Sequence, residues 1–495
     1  MKISFEDPNI KSMDSFVING VNVSAPIFSV DEIQNIIDST NQETETFFST
    51  SNSAFNDIGN AFSKWTNPSY KLRQTAIPIL SKITQFSEPN ILCFGLNPLN
   101  NLDFEAGQFN ELPEQLISKI ETENYKKFTP WDNGYLKGFG TPHVIKFAKP
   151  HKVLQILAGN IVGPTWFSVC LGAITQSAQI IKLPNRDLAS FMYFLNTLDE
   201  ISPDFRKTIA CGYYCKSDPV NDYLLKESDL VIAMGSDESM YEIKNKLMLL
   251  NPSTRFIQHG LKISFQVISK DYATKEVADL AAWGVSAYDG NGCFSPVNIF
   301  IERGGTLSPV QFADQLAFSM ETIAEKIPPK KTMLVAERIN NYRNQQVQRK
   351  LLGEDINILK SENTDYTIVI DNENQLLTPT CQERTVIVKP IGDVRDIPKM
   401  VGHLSKNLQT VGLAVPSSDV VEIANNLGSV GATTFKIIGT EFSIDLKEPH
   451  DGTFDTVQMY MSDNLRWTSI SFSDTDKAID RALIVKSDCL SKLHR

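Results

Sequence analysis

A chain of 495 residues is too long for one hydrophobic core, so two or three domains are expected. Its hydrophobic content of 42% and charged content of 21% are typical of a globular protein, and its formal net charge of -11 argues against a protein that mainly coats nucleic acid or anionic membranes. No apolar run is long enough to span a bilayer, and the N-terminus lacks the apolar core of a signal peptide. We therefore expect a cytoplasmic protein with reduced cysteines.

The seven cysteines and six histidines show none of the spacings that are typical of metal sites, so no metal is expected. Near the N-terminus, the run SFVINGVNVSAPIF contains Asn19 and Gly20, the residue pair favoured in two-residue hairpin turns. This run predicts a small β-hairpin, followed by a polar helical stretch.

Residues 150–270 alternate short apolar runs with helical segments. The apolar runs include KVLQILAG, AQIIKLP, TIACGYY, DLVIAMG and TRFIQHG. Strands that alternate with helices predict a parallel α/β sheet covered on both faces. Ligands of such sheets bind outside the carboxyl ends of the strands.

Three loops at the expected strand ends carry candidate binding groups. The amide of Asn160, in AGNIVGPT, could donate to a developing oxyanion or could satisfy only its own turn. Lys182 and Arg186, in KLPNRD, suit a cofactor ribose and a 2'-phosphate, or could be solvated charges before a helix. Gly235 and Ser236, in AMGSDES, occupy the start of a helix, where a pyrophosphate is favoured, although acidic residues in that turn would also complement the helix dipole.

The segment YDGNGCFSP places a cysteine, Cys293, directly after Gly290, Asn291 and Gly292. These residues bend the backbone and keep bulky neighbours away, so the turn could hold a thiol at the rim of a pocket. A buried thiol beside a loop is the alternative, since cysteine is commonly a core residue.

Taken in order, these segments resemble the LuxC-type acyl-CoA reductases over roughly residues 150–470. The segments that carry the resemblance are AGNIVG, IIKLPNRD, DLVIAMGSDES, YDGNGCFSPVNIFIERGG, RTVIVKPIGDV and LQTVGLAV. This family comprises the reductase subunits of the bacterial bioluminescence fatty-acid reductase complex, within the aldehyde dehydrogenase superfamily. The resemblance implies an aldehyde-dehydrogenase-like α/β fold, with a parallel Rossmann-type cofactor domain, an α/β catalytic domain and a small oligomerisation hairpin.

The implied domain organisation has four parts. Residues 1–60 would form an N-terminal hairpin or arm, 61–261 the NAD(P)-binding domain, and 262–440 the catalytic domain with its nucleophilic cysteine. Residues 441–495 would form a C-terminal segment that returns to the cofactor domain or to an oligomer interface.

The resemblance also implies roles for individual residues. Cys293 corresponds to the nucleophile, and Asn160 to the oxyanion-hole asparagine that acts with the backbone N–H of Cys293. Lys182 corresponds to the lysine at the adenosine ribose, and Gly235 with Ser236 to the pair at the pyrophosphate.

Two further residues match the family pattern less closely. Glu383 lies near the position of a superfamily glutamate that binds the nicotinamide ribose. Hydrolytic aldehyde dehydrogenases carry a water-activating glutamate in an E-L-G-G-K motif, where this chain has QHGLKIS. Gln258 cannot act as a base. His259 could replace the base, assist proton transfer to a departing thiolate or nascent aldehyde oxygen, or be structural.

The function that these features predict is NADPH-dependent reduction of a fatty acyl thioester, acyl-CoA or acyl-protein, to the aldehyde through a cysteine acyl-enzyme. The expected partner is an acyl-protein synthetase, and the expected assembly is a homodimer or homotetramer. The alternatives are an NAD(P)-dependent aldehyde dehydrogenase working in the oxidative direction and a non-catalytic scaffold subunit. Four apolar residues could line an acyl tunnel or pack in the core: Trp166, Phe167, Trp283 and Phe294.

Overall fold

The computed structural model describes residues 1–101, 135–137, 144–146, 150–443, 448, 450–452, 469–470 and 474–493. Its strands are β1 (Lys2–Ser4), β2 (Met13–Ile18), β3 (Val21–Pro26), β4 (Tyr135–Lys137), β5 (Val144–Lys146), β6 (Lys152–Ile156), β7 (Ala178–Lys182), β8 (Ile209–Gly212), β9 (Leu230–Met234), β10 (Arg255–His259), β11 (Ile263–Ile268), β12 (Pro296–Glu302), β13 (Ile356–Lys360), β14 (Thr367–Asp371), β15 (Thr385–Ile391), β16 (Leu408–Ala414), β17 (Thr434–Ile437) and β18 (Ser469–Ile470).

The α-helices are α1 (Ile33–Thr50), α2 (Ala54–Thr66), α3 (Lys71–Thr84), α4 (Glu88–Asn90), α5 (Ser168–Thr175), α6 (Ser190–Ile201), α7 (Pro203–Arg206), α8 (Pro219–Glu227), α9 (Asp237–Leu250), α10 (Lys275–Ser286), α11 (Pro309–Lys326), α12 (Met333–Leu351), α13 (Ile397–Val401), α14 (Val420–Ser429) and α15 (Thr475–Lys492). A π-helical segment, Ile91–Leu96, follows α4. Within the described ranges, none of these helices has the length and apolarity needed to cross a bilayer.

The first large sheet has five parallel strands in the order β10-β9-β6-β7-β8. Its strands and crossover helices match the alternating runs, so the predicted parallel α/β sheet is confirmed. Strand order reverses between β6 and β9, where the chain turns from building one half of the sheet to the other. In parallel sheets this switch point opens a crevice at the carboxyl ends of the strands, which is where ligands bind.

The second sheet has eight strands in the order β13-β14-β15-β12-β11-β16-β17-β18, parallel except for the antiparallel edge strand β13. The central strands β11, β15 and β16 are buried along their full length, as expected for a sheet covered on both faces. The connection between the two sheets is short: β10 ends at His259 and β11 begins at Ile263. Residues near this connection therefore lie between the sheets.

The predicted N-terminal hairpin is confirmed, with β2 and β3 antiparallel and the turn residues Asn19 and Gly20 both at positive φ. The hairpin packs on the first sheet. A buried ion pair joins Asp7 to Arg206 at 2.5 Å, and the Asp7 carboxylate also accepts from the backbone N–H of Cys211 on β8. The oligomerisation role of such a hairpin stays a prediction.

The C-terminal helix α15 returns to the body of the protein, where Cys489 is joined by a disulfide to Cys93 of the π-helical segment. The expectation that every cysteine is reduced is wrong for this pair. The two residues are separated by 396 positions in sequence, so no local spacing could reveal that packing brings them together.

Candidate active site

A cleft with a volume of about 940 Å³ lies between the two sheets. The loops that follow β6, β7, β9 and β10 line one side, and the turn that contains Cys293 lines the other. Cys293 therefore shares one cavity with Gly235 and Ser236, and the volume is in the range of small-molecule sites. This continuity is what a cysteine enzyme with a dinucleotide cofactor requires.

The turn that presents Cys293 follows α10 and precedes β12. Cys293 is half-buried, and its backbone carbonyl accepts a 2.8 Å hydrogen bond from the Ser264 hydroxyl. The ring of Phe294 folds back against Gly292, where a Cβ atom would overlap it. Glycine at this position therefore lets the aromatic ring close over the turn.

The residues before this turn adopt a strained backbone. Tyr288, Asp289 and Gly290 have φ angles of 49°, 54° and 76°, in a region that non-glycine residues rarely occupy. At the two non-glycine positions, Tyr288 and Asp289, this conformation costs of order 1–3 kcal/mol each and persists only where the surrounding structure enforces it, as at many active sites. A second positive-φ tripeptide, Gln382–Arg384, packs against the first.

A buried ion pair connects these two tripeptides. The Arg384 guanidinium lies 2.6 Å from the Asp289 carboxylate. The backbone N–H of Arg384 also donates to the backbone carbonyl of Asp289 at 2.9 Å. Asn90 donates a further hydrogen bond to the same carboxylate at 3.0 Å. Burial raises the pKa of Asp289, while the adjacent Arg384 charge opposes that rise. The pair holds the backbone that aims Cys293 into the cleft.

Asn160 lies against this turn from the opposite sheet. Its side-chain amide donates to the carbonyl of Asn291, two residues before Cys293, at 3.1 Å. Its neighbour Gly159 packs so closely on Pro184 that a Cβ atom would lie 2.9 Å from the proline ring. The structure thus brings Asn160 and Cys293, predicted to act together, to the same part of the cleft.

Lys182, at the end of β7, and Arg186, in the loop that follows, also line the cleft. The Lys182 ammonium donates to the Leu183 carbonyl and lies over the rings of Tyr213 and Tyr214, at 5.4 and 5.6 Å. Burial lowers its pKa to about 8. Arg186 is exposed, so its guanidinium faces solvent at the mouth of the cleft.

Gly235 and Ser236 form the junction of β9 and α9, at the switch point of the sheet. The N–H of Gly235 donates to the His259 carbonyl at 3.0 Å, and the Ser236 hydroxyl caps α9 by accepting from the Ser239 N–H. The Asp237 carboxylate turns away to accept from the Leu261 N–H at 2.7 Å. The first N–H groups of α9, which have no acceptor inside the helix, therefore remain suited to an anion.

His259, and not Gln258, faces the cleft. Side chains alternate across a strand, and Gln258 at the end of β10 is exposed on the other face, while His259 is buried and lines the cavity. The His259 Nδ1 atom lies 2.7 Å from the Asp451 carboxylate, and the His259 ring stacks on His450 at 3.9 Å. Burial acts to raise the pKa of Asp451, but the charges of His450, His259 and Lys262 hold it well below its ordinary value.

Glu383 occupies a different environment from the other candidates. Its carboxylate is buried in an ion pair with Arg338, beside the side chain of Asn291, and burial raises its pKa. The adjacent Gln382, which sequence reasoning did not single out, lines the cleft instead. Glu383 therefore supports the Cys293 turn from behind.

Sequence reasoning missed several cleft residues of the second sheet and the C-terminal segment. They are Gln409, Thr410, Lys436, Glu441, His450 and Asp451. The adjacent residues His450 and Asp451, in EPHDGTFD, were the sequence feature in this part of the chain that could have indicated a site with titratable side chains. Of the four apolar tunnel candidates, Phe167 and Phe294 line the cleft. Trp166 and Trp283 are buried in aromatic packing, on Phe194 and Phe94 respectively.

Comparison with solved structures defines the class of fold. A salicylaldehyde dehydrogenase from Pseudomonas putida G7 matches with a TM-score of 0.66 at 12% identity, covering 97% of this chain and 96% of the other. An NADP-dependent glyceraldehyde-3-phosphate dehydrogenase from Bacillus halodurans C-125, complexed with NADP, matches with a TM-score of 0.57 at 12% identity, covering 86% and 87%. The fold is that of the aldehyde dehydrogenases.

The family is defined by sequence. The family model of acyl-CoA reductase (LuxC) matches residues 52–461, and the protein belongs to this family. A long-chain acyl-protein thioester reductase from Photorhabdus luminescens is 21% identical over 284 residues, covering 56% of this chain and 55% of the relative. The chain thus spans about half the length of the relatives it matches.

We predict that Arg384→Ala destabilises the protein by about 3–5 kcal/mol, because it leaves the buried Asp289 carboxylate without its counter-ion. Urea unfolding gives the change in free energy. Arg395→Ala is the matched control, since Arg395 pairs with Asp419 and Glu422 while 47% exposed and should cost about 1 kcal/mol or less. Equal unfolding midpoints for the two variants would contradict the assigned role of the buried pair.

We also predict the order in which cysteines react with iodoacetamide. Cys215 is exposed and hydrogen bonds from Ser217 lower its pKa, and Cys293 is open to the cleft, so both should be labelled early. Cys170 and Cys211 are buried and burial raises their pKa, so both should stay unmodified in the folded protein. Peptide mass spectrometry after timed quenching measures the order, and Cys215→Ser removes the surface background. Labelling of Cys293 no faster than Cys170 would mean that the cleft does not expose the thiol.

Proposed function

We propose that this protein reduces a fatty acyl thioester, acyl-CoA or acyl-protein, to the corresponding aldehyde with NADPH, through an acyl-enzyme on Cys293. The observation that carries the proposal is the single cleft that contains Cys293, Asn160 and the Gly235–Ser236 turn. Membership of the acyl-CoA reductase family supports the same reaction class.

In the first step the Cys293 thiolate attacks the thioester carbonyl. The Asn160 amide and the backbone N–H of Cys293 are the proposed donors to the oxyanion, a contact that typically contributes about 3 kcal/mol per donor. The contact of Asn160 with Asn291 supports this role, because it keeps the amide beside the cysteine turn. The donor thiol leaves, and the acyl group remains on Cys293 as a thioester.

The residues of the first sheet fit a nicotinamide dinucleotide. The cleft follows the carboxyl ends of parallel strands, with a helix N-terminus at Ser236 and the buried Lys182 on the next strand. We propose that Ser236 contacts the pyrophosphate, Lys182 the adenosine ribose and Arg186 the 2'-phosphate. When bound, NADPH supplies the hydride that converts the acyl-enzyme into a hemithioacetal, which releases the aldehyde.

The residues around His259 suit a reductase more than a hydrolase. The end of β10 offers the cleft a histidine and no carboxylate, so it presents no glutamate base for hydrolysis of the acyl-enzyme. We propose that His259, oriented by Asp451, assists proton transfer at the reacting oxygen or sulfur. Asp451 is then a positioning residue.

The name of the Photorhabdus relatives, long-chain acyl-protein thioester reductase, supports an acylated protein as substrate. We propose that the chain works with an acyl-protein synthetase and as a homodimer or homotetramer in the cytoplasm, and that its pathway can be bioluminescence. The competing functions are aldehyde oxidation by the same cleft and a scaffold without turnover.

The decisive assay incubates the protein with acyl-CoA and NADPH. We expect loss of nicotinamide absorbance together with release of thiol, and complete loss of both signals in Cys293→Ala. Intact-protein mass spectrometry without NADPH should show an acyl adduct on Cys293. If acyl-CoA and NADPH give neither signal, while aldehyde is oxidised to the acid as NADP⁺ is reduced to NADPH, the oxidative alternative holds. An unmodified, inactive protein would favour the scaffold.

Arg186→Ala tests the cofactor preference. Because an exposed arginine at the mouth of the cleft suits a 2'-phosphate, the KM for NADPH should rise about tenfold or more while the KM for NADH stays within about twofold. Steady-state kinetics with both cofactors measure the change. Lys244→Ala, at an exposed position on α9 beside a separate surface pocket, is the charge-matched control. An equal effect on both cofactors would contradict the assignment to the 2'-phosphate.

A further inference from the structure

A buried carboxyl group, Glu441, lines the cleft on the side of the second sheet. Only 2% of this residue is exposed, and it lies a few positions beyond the end of β17. The Gln266 side chain on β11 donates to Glu441 Oε1 at 2.7 Å. No hydrogen-bond partner for Oε2 is found among the residues that the structure describes. Oε2 therefore has no side-chain donor in the part of the chain that the structure describes, although backbone N–H groups of Gly439 and Glu441 lie near the carboxyl group.

The space for this carboxyl group is made by two glycines. A Cβ atom on Gly412 of β16 would overlap Oε1, and one on Gly284 of α10 would lie 2.5 Å from Oε2. A strand and a helix from opposite sides thus both lack a side chain where the carboxyl group lies. The backbone of these two glycines and the Gln266 side chain enclose the Glu441 carboxyl group closely. Carboxyl groups are seldom fully buried in a protein core without such dedicated contacts.

The position of Glu441 relates it to Cys293. The pairing of β11 is irregular near Ser264, but three alternate residues of the strand pack into one hydrophobic cluster: Ile263, Phe265 and Val267. Ser264, whose hydroxyl holds the Cys293 carbonyl, and Gln266, which holds Glu441, therefore lie together on the other face of β11. Glu441 consequently belongs to the same face of the sheet as the cysteine turn.

Among the described residues, few charged groups lie near Glu441. From β17 the charged group is Lys436, which is itself buried and paired with Glu448 at 2.8 Å. The elements β11, β16 and α10 contribute Gln266, Gly412 and Gly284, which carry no charge. Burial raises the pKa of Glu441 to about 7, against the opposing effects of the Gln266 hydrogen bond, backbone N–H groups and Lys436. Such a carboxyl group can carry a proton near neutral pH.

We propose that Glu441 is the acid that protonates the thiolate expelled when Cys293 takes the acyl group. This inference rests on the proposed reduction of acyl thioesters. A bond forms between the Cys293 sulfur and the acyl carbon, and the bond from that carbon to the donor sulfur breaks. The donor sulfur leaves with the electron pair and takes the Glu441 proton, and solvent restores the proton.

The proton balance of the whole reaction agrees with one such acid. Acyl thioester, NADPH and one proton give aldehyde, NADP⁺ and thiol, because hydride transfer followed by collapse of the hemithioacetal returns Cys293 as a thiolate. The single net proton is the one that the donor thiol retains. Asp451 also contacts the second sheet, where the Gln409 side chain donates to it, but the surrounding positive charges hold its pKa well below the ordinary value, so it carries no proton to donate near neutral pH. Glu441 is a cleft carboxyl group whose pKa is raised.

The test uses the dependence on the leaving group, in the full-length protein without cofactor. Quenched-flow mass spectrometry measures the rate of Cys293 acylation by two thioesters. Octanoyl-CoA releases an alkyl thiolate, which needs a proton as it leaves. The phenyl thioester of octanoic acid releases an aryl thiolate, which leaves without one. Glu441→Gln should slow acylation by octanoyl-CoA on the order of 10²-fold and acylation by the phenyl thioester less than about threefold. With the departing sulfur assigned to Glu441 and the reacting oxygen left to His259, the comparison variant His259→Asn should slow both thioesters alike. A loss confined to octanoyl-CoA in His259→Asn would overturn the inference.

The native protein provides a second readout that does not depend on whether Glu441→Gln folds. The measured quantity is the ratio of the acylation rate with octanoyl-CoA to the acylation rate with the phenyl thioester. This ratio should fall as pH rises through about 7, because Glu441 loses its proton above its pKa. The ratio isolates this effect, since the protonation state of Cys293 affects both rates alike. A flat ratio, or equal losses for both thioesters in Glu441→Gln, would overturn the inference. Absence of any Cys293 adduct in the native protein would instead overturn the proposed function.

Discussion

The site depends on one buried ion pair, between Asp289 and Arg384. Two tripeptides with positive φ angles face each other there, and neither would keep that backbone in isolation. Arg384 bridges them through its guanidinium and its backbone N–H, and Asn90 completes the contacts of the Asp289 carboxylate. The cost of burying both charges is offset only while the pair is complete, so loss of either partner is expected to destabilise the cysteine turn.

The same region links the turn to both walls of the cleft. The hydroxyl of Tyr288 lies 2.6 Å from the Phe94 carbonyl and 3.1 Å from the Val162 carbonyl, the latter in the loop that carries Asn160. Gly163 in that loop packs on the backbone of Gly95, where a Cβ atom would overlap it. The π-helical segment Ile91–Leu96 therefore sets the spacing between the loop of Asn160 and the turn of Cys293. Its disulfide to α15 ties this spacer to the C-terminal helix.

Local patterns revealed much of the architecture and some of the site. The five strands of the first sheet, the hairpin at Asn19 and Gly20, and the turn around Cys293 each depend on a few consecutive residues, so they could be read from sequence. The pairing of Asp289 with Arg384 could not, because the two lie far apart in sequence and look like ordinary charges. The choice between Gln258 and His259 also needed the structure, since a shift of one residue along a strand exchanges its two faces. Asp451 and Glu441 became visible only once the C-terminal segment was placed against both sheets.

The titratable groups of the cleft can be explained by two requirements of the proposed reaction. In the proposed reaction an acyl-cysteine that awaits reduction must not meet an activated water, yet its formation leaves a thiolate that needs a proton. At the end of β10, where a carboxylate could activate water, the chain places His259, paired with a buried aspartate. On the second sheet it places a carboxyl group whose pKa burial raises to about 7, so this group can still hold a proton near neutral pH and donate it. Two glycines and one glutamine maintain that environment, so the packing of α10, β11 and β16 sets the proton affinity of the carboxyl group.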